Sequence, residues 1–328
     1  MNLSQVTKFL ESQNLPNYRQ KQILKNYFSG RYLTFSQMTD LPQDLRQLLD
    51  EKFPLLSVAE KKLLKSTDSQ KVLLKLKDGL SIESVLMDYG QWLTACVSSQ
   101  IGCPLNCAFC ATGKMGLKRN LSAEEIVDQI IFWNHKLFPR YIGRVVYMGM
   151  GEPFLNWENL LDSLKVLKEN LNIGSRKISI STAGIVPRIY EFADLNTEIN
   201  LAISLHAPDQ ETRQKIMPVA LQFSFTDLIK SLNYYTEHTH RQLFLEYALI
   251  KDINDSPQHL ASLIALLKSN HLFYLNLIPL NPIKGGLDPS PNLKLFTQAL
   301  EKNHLNFSLR HSLGQSIDSA CGQLITQK

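Results

Sequence analysis

The sequence predicts an α/β fold, a partial (β/α)6-type barrel with a small N-terminal helical domain and a short β extension. The first observation is that strand-like segments alternate with helical segments from Leu93 onward, which is typical of a parallel sheet or barrel. The second is that six or seven such units fall short of the eight in a closed barrel. The strands are predicted at 93–98, 144–148, 177–181, 199–205, 243–249, 273–278 and 305–310.

The chain before the barrel carries other patterns. Apolar residues at helical spacing predict short helices near the N-terminus. Two strand-like runs, 71–77 and 81–87, flank an Asp78-Gly79 turn, which predicts a β-hairpin. We therefore expect a helical domain, a hairpin extension, a barrel and a C-terminal segment at 1–60, 61–92, 93–311 and 312–328.

Two helices of the predicted barrel have clear starts. Ser122, followed three residues later by Glu125, forms a capping box. Ser256 and Pro257 combine an N-cap residue with proline at the first helical position. Both starts support helices between the predicted strands.

The composition is that of a soluble globular protein, with 328 residues of which 44% are hydrophobic. An apolar run of about 18 residues, which a membrane helix needs, does not occur in the sequence. Residues 1–8 lack the basic and then apolar pattern of a signal peptide. We therefore expect a cytoplasmic protein without a membrane span.

The net charge of +5 lies entirely in the first 80 residues, which hold 13 Lys and Arg against 8 Asp and Glu. The other 248 residues hold 22 of each kind. A phosphate backbone is one partner that fits such a basic surface. The alternative is an ordinary solvated face.

Three of the five cysteines, Cys103, Cys107 and Cys110, lie within eight residues. Cysteine thiolates hold iron–sulfur clusters, and three ligands on a four-iron cluster leave one iron open for a substrate. The spacing therefore predicts a [4Fe–4S] cluster. The alternative is a zinc site, but structural zinc usually takes four ligands in paired short spacings, and the sequence has no second pair.

Further polar residues follow or end the predicted strands, where α/β folds gather their chemistry. They include Glu152 in a Gly-rich segment, Ser181, Ser204, His206 and Asn281. Each one alone is more typical of a structural role. Their shared position predicts one binding site. Cys96 and Cys321, taken alone, are more typical of small buried residues or spare thiols.

Seven stretches of the sequence are together similar to one family. They are 18–22, 96–103, 107–110, 116–121, 149–153, 203–208 and 320–324. In this order they resemble the RlmN/Cfr family of radical S-adenosylmethionine (SAM) enzymes, which methylate an adenine of 23S ribosomal RNA. The first stretch is similar to that family's small helical RNA-binding domain, and the resemblance spans nearly the whole chain.

The resemblance implies a role for each candidate residue. The three-cysteine loop would hold the cluster, and the open iron would bind SAM. Cys321 matches the methyl-carrying cysteine, and Cys96 matches the partner that forms a transient disulfide with it. Glu83 falls where the family has its proton acceptor, although a lone acid on a strand is usually only solvated. The implied SAM-binding positions are Met148, Gly151, Glu152, Ser181, Ser204, Leu205, His206 and Asn281.

The implied reaction is a ping-pong methylation that uses two SAM molecules per turnover, one to methylate Cys321 and one to generate a radical. C2 and C8 of adenine lack useful nucleophilicity, so a radical route is needed and the cofactor supplies it. The implied target is C2 of adenine 2503 in 23S rRNA, with adenine 37 of tRNA as a further substrate. Methylation of C8, as in Cfr, is the alternative. Pro153 favours the first branch, and Ser312 with Leu313 favours the second.

The implied partners are 23S rRNA, tRNA, and a flavodoxin or ferredoxin as electron donor, with the protein acting as a monomer. Lys114, Lys118, Arg119 and Arg310 are candidates for phosphate contacts, or for ordinary surface charge. Two other functions stay open at this point. One is a radical SAM enzyme that acts on a substrate other than RNA, and the other is a zinc-containing RNA-binding protein.

Overall fold

The N-terminal unit of the chain is helical. The computed structural model describes residues 1, 3–283, 285–310 and 313–326. Its first helices are α1 (Leu3–Ser12), α2 (Asn17–Phe28) and α3 (Gln43–Lys52). Their buried faces include Leu10, Ile23 and Leu49, so the helices expected from the apolar spacing are present.

Three antiparallel strands follow, β1 (Val58–Lys65), β2 (Ser69–Leu76) and β3 (Ser81–Asp88). The hairpin around Asp78 and Gly79 is present, but β1 was not predicted. Its centre is exposed and charged, with a bulge between Glu60 and Lys62. Lysines and bulges are common on edge strands, and here they hide the alternation that would predict one. The expected boundary after residue 60 therefore falls inside β1.

The barrel strands continue this sheet. They are β4 (Leu93–Cys96), β7 (Arg144–Tyr147), β8 (Ile178–Thr182), β9 (Asn200–Ser204), β10 (Leu243–Leu249), β11 (Phe273–Pro279) and β12 (Phe307–Leu309); β5 (Gln100–Ile101) and β6 (Arg119–Asn120) form a separate small pair. Each predicted strand is present, with ends within two residues of the prediction. The small β5–β6 pair was not predicted.

The sheet has ten strands in the order β1-β2-β3-β4-β7-β8-β9-β10-β11-β12. Neighbours from β4 to β12 are parallel, and β3 joins them through an antiparallel pairing with β4. Among the described residues β1 and β12 are the two ends of this order. The fold is thus an open, partial barrel, as the sequence predicted.

Helices connect the successive parallel strands of the sheet. They are α4 (Ala123–Leu137), α5 (Trp157–Glu169), α6 (Val186–Asp194), α7 (Gln210–Ile216), α8 (Phe225–Thr239), α9 (Pro257–Ser269) and α10 (Leu293–Lys302). The Ser122–Glu125 capping box and the Ser256 N-cap are both formed. Tyr27 donates its hydroxyl to Asp128 of α4, which ties the N-terminal helices to the barrel. None of the helices in the described ranges combines the length and the hydropathy of a membrane-spanning segment.

Candidate active site

The three-cysteine loop lies between β5 and β6. The amide of Ala108 donates to the carbonyl of Ile216 at 2.9 Å, which holds the loop against the end of α7. Cys103, Cys107 and Cys110 line one wall of an open cleft of about 970 Å³, a volume that includes space open to solvent. We call this space the main cleft. The three cysteines therefore face a concave space that is open to solvent, where a cofactor could lie beside the loop.

The thiols of the loop suit iron ligands. Burial raises the pKa of the Cys103 thiol to about 12, and burial with the two neighbouring thiols raises the pKa of Cys107 further. Iron binding would offset this cost, because the bound form of the ligand is the thiolate. In the described part of the chain, no three His, Cys, Asp or Glu side chains are grouped for a single metal ion. A four-iron cluster makes a different demand, since each cysteine binds its own iron.

Another wall of the main cleft is built from residues that end or follow β7, β8 and β9. The glycines after β7 allow close packing, because a Cβ on Gly149 would lie 2.6 Å from the Val97 carbonyl oxygen. Gly151 has φ +99°, and a Cβ there would lie 2.5 Å from the Cβ of Gln100. Both glycines also line the cleft. The backbone of the Gly-rich segment therefore packs against residues 97–100 on one side and faces the main cleft on the other.

Glu152 is buried at this wall and held in one orientation. Its two carboxylate oxygens accept hydrogen bonds from the amides of Phe154 at 3.0 Å and Ala183 at 2.7 Å. Burial raises the pKa of Glu152 to about 7. A cationic group in the cleft would restore the charged form, because an opposite charge favours ionisation.

His206 also lines the main cleft, and its ring is held in one tautomer. Its Nδ1 accepts a hydrogen bond from the amide of Ala248 at 2.9 Å. Burial and the nearby Arg213 lower the pKa of His206 to about 3, so the ring is neutral. The proton then lies on Nε2, which makes this nitrogen a donor. The ring packs edge-on against Phe109, next to Cys110, with centroids 4.6 Å apart.

Of the other residues predicted to bind the cofactor, four line the main cleft and one does not. Ser181, Ser204, Met148 and Asn281 line the main cleft. Leu205 does not lie on this lining; its side chain belongs to the hydrophobic core, fully buried.

Cys321 lies where two pockets meet. It lines the main cleft, and it also lines a smaller pocket with Cys96, Tyr89 and Arg310. We call this second space the thiol pocket. Burial and the neighbouring Cys321 raise the pKa of Cys96 to about 12. The structure therefore brings the two remaining cysteines into one pocket, with Cys321 exposed and Cys96 buried.

The C-terminal segment that carries Cys321 is anchored at several points. Gly322 and Leu324 accept hydrogen bonds through their carbonyl oxygens from Ala111 N at 2.7 Å and Thr112 Oγ1 at 2.6 Å. Asn281 Nδ2 donates to the carbonyl of Cys321 at 3.2 Å. The cluster loop and the loop after β11 thus position this segment.

Glu83 lies under the same segment and outside the lining of both pockets. Its carboxylate pairs with Lys71 Nζ at 3.1 Å and accepts from the amide of Ile325 at 2.9 Å. Burial raises the pKa of Glu83, although Lys71 opposes the shift. In this arrangement Glu83 is an anchor for the C-terminal segment.

Two arginines of the site were not predicted in these roles. Arg213 is 2% exposed and donates to the carbonyls of Ser204 and Leu205 at 3.2 Å each, and to that of Ala183 at 2.5 Å. Arg310, predicted only as a phosphate contact, lines both pockets and pairs with Glu246 at 3.3 Å. Arg213 is buried and Arg310 is half-buried. The sequence carries no signal for either set of contacts, because the partners lie on distant segments of the chain.

The other candidate phosphate contacts lie near the cluster loop. Lys114 and Lys118 are exposed. Arg119 pairs with Asp78 at 2.6 Å and with Glu125 at 2.7 Å. Its guanidinium therefore links the β2–β3 turn to the start of α4.

Family models match two parts of the chain. Residues 97–264 match the Radical SAM superfamily, and residues 1–55 match the ribosomal RNA large subunit methyltransferase N-terminal domain. The two ranges cover the cluster loop with most of the barrel, and the N-terminal helices.

Whole-length relatives agree with these matches. A probable dual-specificity RNA methyltransferase RlmN from Dictyoglomus thermophilum is 41% identical and covers 98% of this chain and 94% of its own. Its counterpart from Thermosipho melanesiensis is 42% identical and covers 96% of this chain and 94% of its own. The crystal structure of a radical SAM methyltransferase from Sphaerobacter thermophilus aligns with a TM-score of 0.93 at 35% identity, over 99% of this chain and 97% of that one.

Proposed function

The chain belongs to the RlmN family of radical SAM RNA methyltransferases, and we propose that it methylates C2 of adenine 2503 in 23S rRNA and of adenine 37 in tRNA. The observation that carries this proposal is the position of Cys321. It lies on the shared wall of the main cleft and the thiol pocket. A methyl carrier needs this position, because it must meet the methyl donor on one side and the base on the other.

The cofactors are proposed to occupy the main cleft. Cys103, Cys107 and Cys110 would hold the [4Fe–4S] cluster, which with SAM supplies the radical chemistry that C2 of adenine demands. Glu152 would face the ammonium group of SAM, and the Nε2 hydrogen of His206 would donate to a polar atom of the same ligand. Met148, Gly151, Ser181, Ser204 and Asn281 line the rest of the cleft.

The two other cysteines divide the transfer into separate steps. Cys321 Sγ takes a methyl group from one SAM and becomes a thioether, and a second SAM serves the radical step. After the carbon of that methyl group has bonded to adenine, the Cys96 thiolate attacks the Cys321 sulfur. An S–S bond forms and the C–S bond breaks, with its electron pair passing to the methylene carbon. That carbon takes up a proton, which completes the methyl group, and the methylated base leaves. An external reductant then restores both thiols.

Glu83 is proposed as the acceptor of the ring proton, as the family resemblance implies. Burial raises its pKa, which makes its carboxylate a stronger base than an ordinary glutamate. Its contacts with Lys71 and with Ile325 occupy the carboxylate, so this role requires the C-terminal segment to shift. Without that shift Glu83 acts only as an anchor.

The RNA is proposed to bind across the N-terminal quarter of the chain, residues 1–80, which holds the whole charge excess. The match of residues 1–55 to a ribosomal RNA methyltransferase domain supports this. A flavodoxin or ferredoxin is proposed as electron donor to a monomeric enzyme.

Methylation at C8 is the second candidate. Ser312, one of the two residues that favoured it, lies outside the described residues, and Leu313 lines the thiol pocket. The names of the relatives above favour the RlmN branch and therefore C2.

The experiment is anaerobic expression in a bacterial host that lacks its own enzyme of this kind, followed by nucleoside mass spectrometry of 23S rRNA and tRNA. We expect 2-methyladenosine with the wild-type chain and none with Cys321→Ala. Only 8-methyladenosine would select the C8 candidate. Methyl transfer that survives Cys321→Ala would overturn the carrier mechanism, and the absence of both nucleosides would overturn the RNA assignment.

A further inference from the structure

The turn between β3 and β4 lies at the sheet edge opposite the cluster loop. Cys96 ends β4, whereas Tyr89 and Trp92 precede its first residue, Leu93. Tyr89 nevertheless lines the thiol pocket together with Cys96 and Cys321, and it is 47% exposed. The thiol pocket therefore extends from Cys321 to the surface at Tyr89.

The ring of Trp92 is in contact with the ring of Tyr89 at this opening. Their ring centroids are 5.9 Å apart with planes inclined by 30°, and Trp92 is 38% exposed. The turn holds them in place, since Tyr89 N donates to the Trp92 carbonyl at 3.1 Å and Gly90 N donates to Asp88 Oδ1 at 2.8 Å. Two large rings are thus presented to solvent by a hydrogen-bonded turn.

A cation completes the surface. The guanidinium carbon of Arg144, the first residue of β7, lies 4.4 Å from the centroid of the Trp92 ring. Arg144 is itself exposed. Rings flanked by arginine are the surfaces on which proteins stack unpaired RNA bases, with the cation drawing the phosphates.

We propose that Tyr89, Trp92 and Arg144 form a stacking platform for an unpaired nucleotide next to the target adenine. This inference rests on the proposed function. The target base must reach Cys321, and the main cleft on the other side of Cys321 is lined by the cluster cysteines. In this proposal the RNA approaches Cys321 from the side of the thiol pocket, past the platform, and leaves the main cleft to the cofactors.

Tryptophan fluorescence tests the contact directly, because Trp133 and Trp157 are only 0% and 7% exposed whereas Trp92 is at the surface. The reconstituted full-length holoenzyme is titrated with a synthetic hairpin that carries the loop around adenine 2503, and Trp92→Phe supplies the background. We expect the hairpin to quench the Trp92 emission. An abasic nucleotide at one position beside the target should abolish this quenching.

Steady-state methylation of the same hairpin gives a second readout. We expect Trp92→Ala to raise KM for RNA by about 5- to 150-fold, the range for one lost base–aromatic stack, with a much smaller effect on kcat. Trp92→Phe should keep most of the affinity. Tyr234→Ala on α8, which removes another partly exposed ring, is the control and should leave KM unchanged.

The outcomes separate this inference from the proposed function. Unchanged KM in Trp92→Ala and no RNA-dependent change in Trp92 emission, with normal wild-type methylation, would overturn the platform alone. A wild-type enzyme that neither binds nor methylates the hairpin and modifies no cellular RNA would overturn both.

Discussion

The backbone amide of Ala111 donates a 2.7 Å hydrogen bond to the carbonyl oxygen of Gly322. Ala111 directly follows Cys110, and Gly322 directly follows Cys321. One hydrogen bond therefore joins the backbone beside a proposed cluster ligand to the backbone beside the proposed methyl carrier. Radical transfer between bound groups depends on such positioning, since misplacement by about 1 Å can cost a hundredfold in rate.

Gly322→Ala should disturb this junction. Gly322 has φ +84°, and a Cβ there would lie 3.0 Å from the Phe109 carbonyl oxygen. We expect RNA methylation to fall by about ten- to a hundredfold, while iron content and SAM binding stay at the wild-type level. The measurement is single-turnover methylation with parallel iron analysis.

Gly79→Ala is the matched control for that variant. Gly79 has nearly the same backbone conformation, φ +85°, but a Cβ there would have no atom within 4 Å. It should lose similar stability, roughly 1 kcal/mol from backbone strain, and keep its activity. Equal loss of activity in both variants would show that strain, and not the junction, matters.

Cys96→Ala should stop the reaction after the methylene bridge between Cys321 and the base has formed. Without the Cys96 thiolate nothing in the thiol pocket attacks the Cys321 sulfur, so the C–S bond persists. We expect a protein–RNA adduct that survives denaturing electrophoresis, at no more than one RNA per enzyme. Cys321→Ala should form no adduct, and multiple turnovers by Cys96→Ala would contradict the proposed division of roles.

SAM binding should weaken as the pH falls below about 7. Burial raises the pKa of Glu152 to about 7 in the free site, so below that pH the carboxyl is protonated and must lose its proton to pair with the SAM ammonium. The dissociation constant should then rise by up to about tenfold per pH unit. Equilibrium dialysis of the holoenzyme between pH 5.5 and 8 measures this, and Glu152→Gln should bind more weakly with a flat profile.

Local patterns in the sequence were enough to predict the cysteine loop and the polar residues at the strand ends. The spacing of Cys103, Cys107 and Cys110 requires only a short loop, and the strand alternation placed Ser181, Ser204 and His206 at one edge of the sheet. Because parallel strands end at the same edge, these residues had to meet at one site.

Other features depend on contacts between distant segments. The hydrogen bond between Glu83 and the amide of Ile325 joins β3 to the C-terminal segment, which no local pattern encodes. The ion pair of Arg310 with Glu246 likewise crosses from the end of the barrel to β10. Edge strand β1 was missed because its exposed charges carry no burial pattern.

Arg213 shows what such distant contacts add to the chemistry. Its buried guanidinium donates to three backbone carbonyls at the ends of β8 and β9, and its charge lowers the cost of ionising the Cys107 thiol.

A positive charge near an iron–sulfur cluster favours the reduced form of the cluster, because reduction adds a negative charge. Arg213→Met should therefore lower the midpoint potential of the bound cluster by on the order of tens of millivolts, and Arg213→Lys should lower it less. Redox titration followed by electron paramagnetic resonance measures the shift, with Arg176→Met, on an exposed arginine paired to Glu198, as the control that should not move it. An unchanged potential in Arg213→Met with full iron content would leave Arg213 only the role of joining the two strand ends.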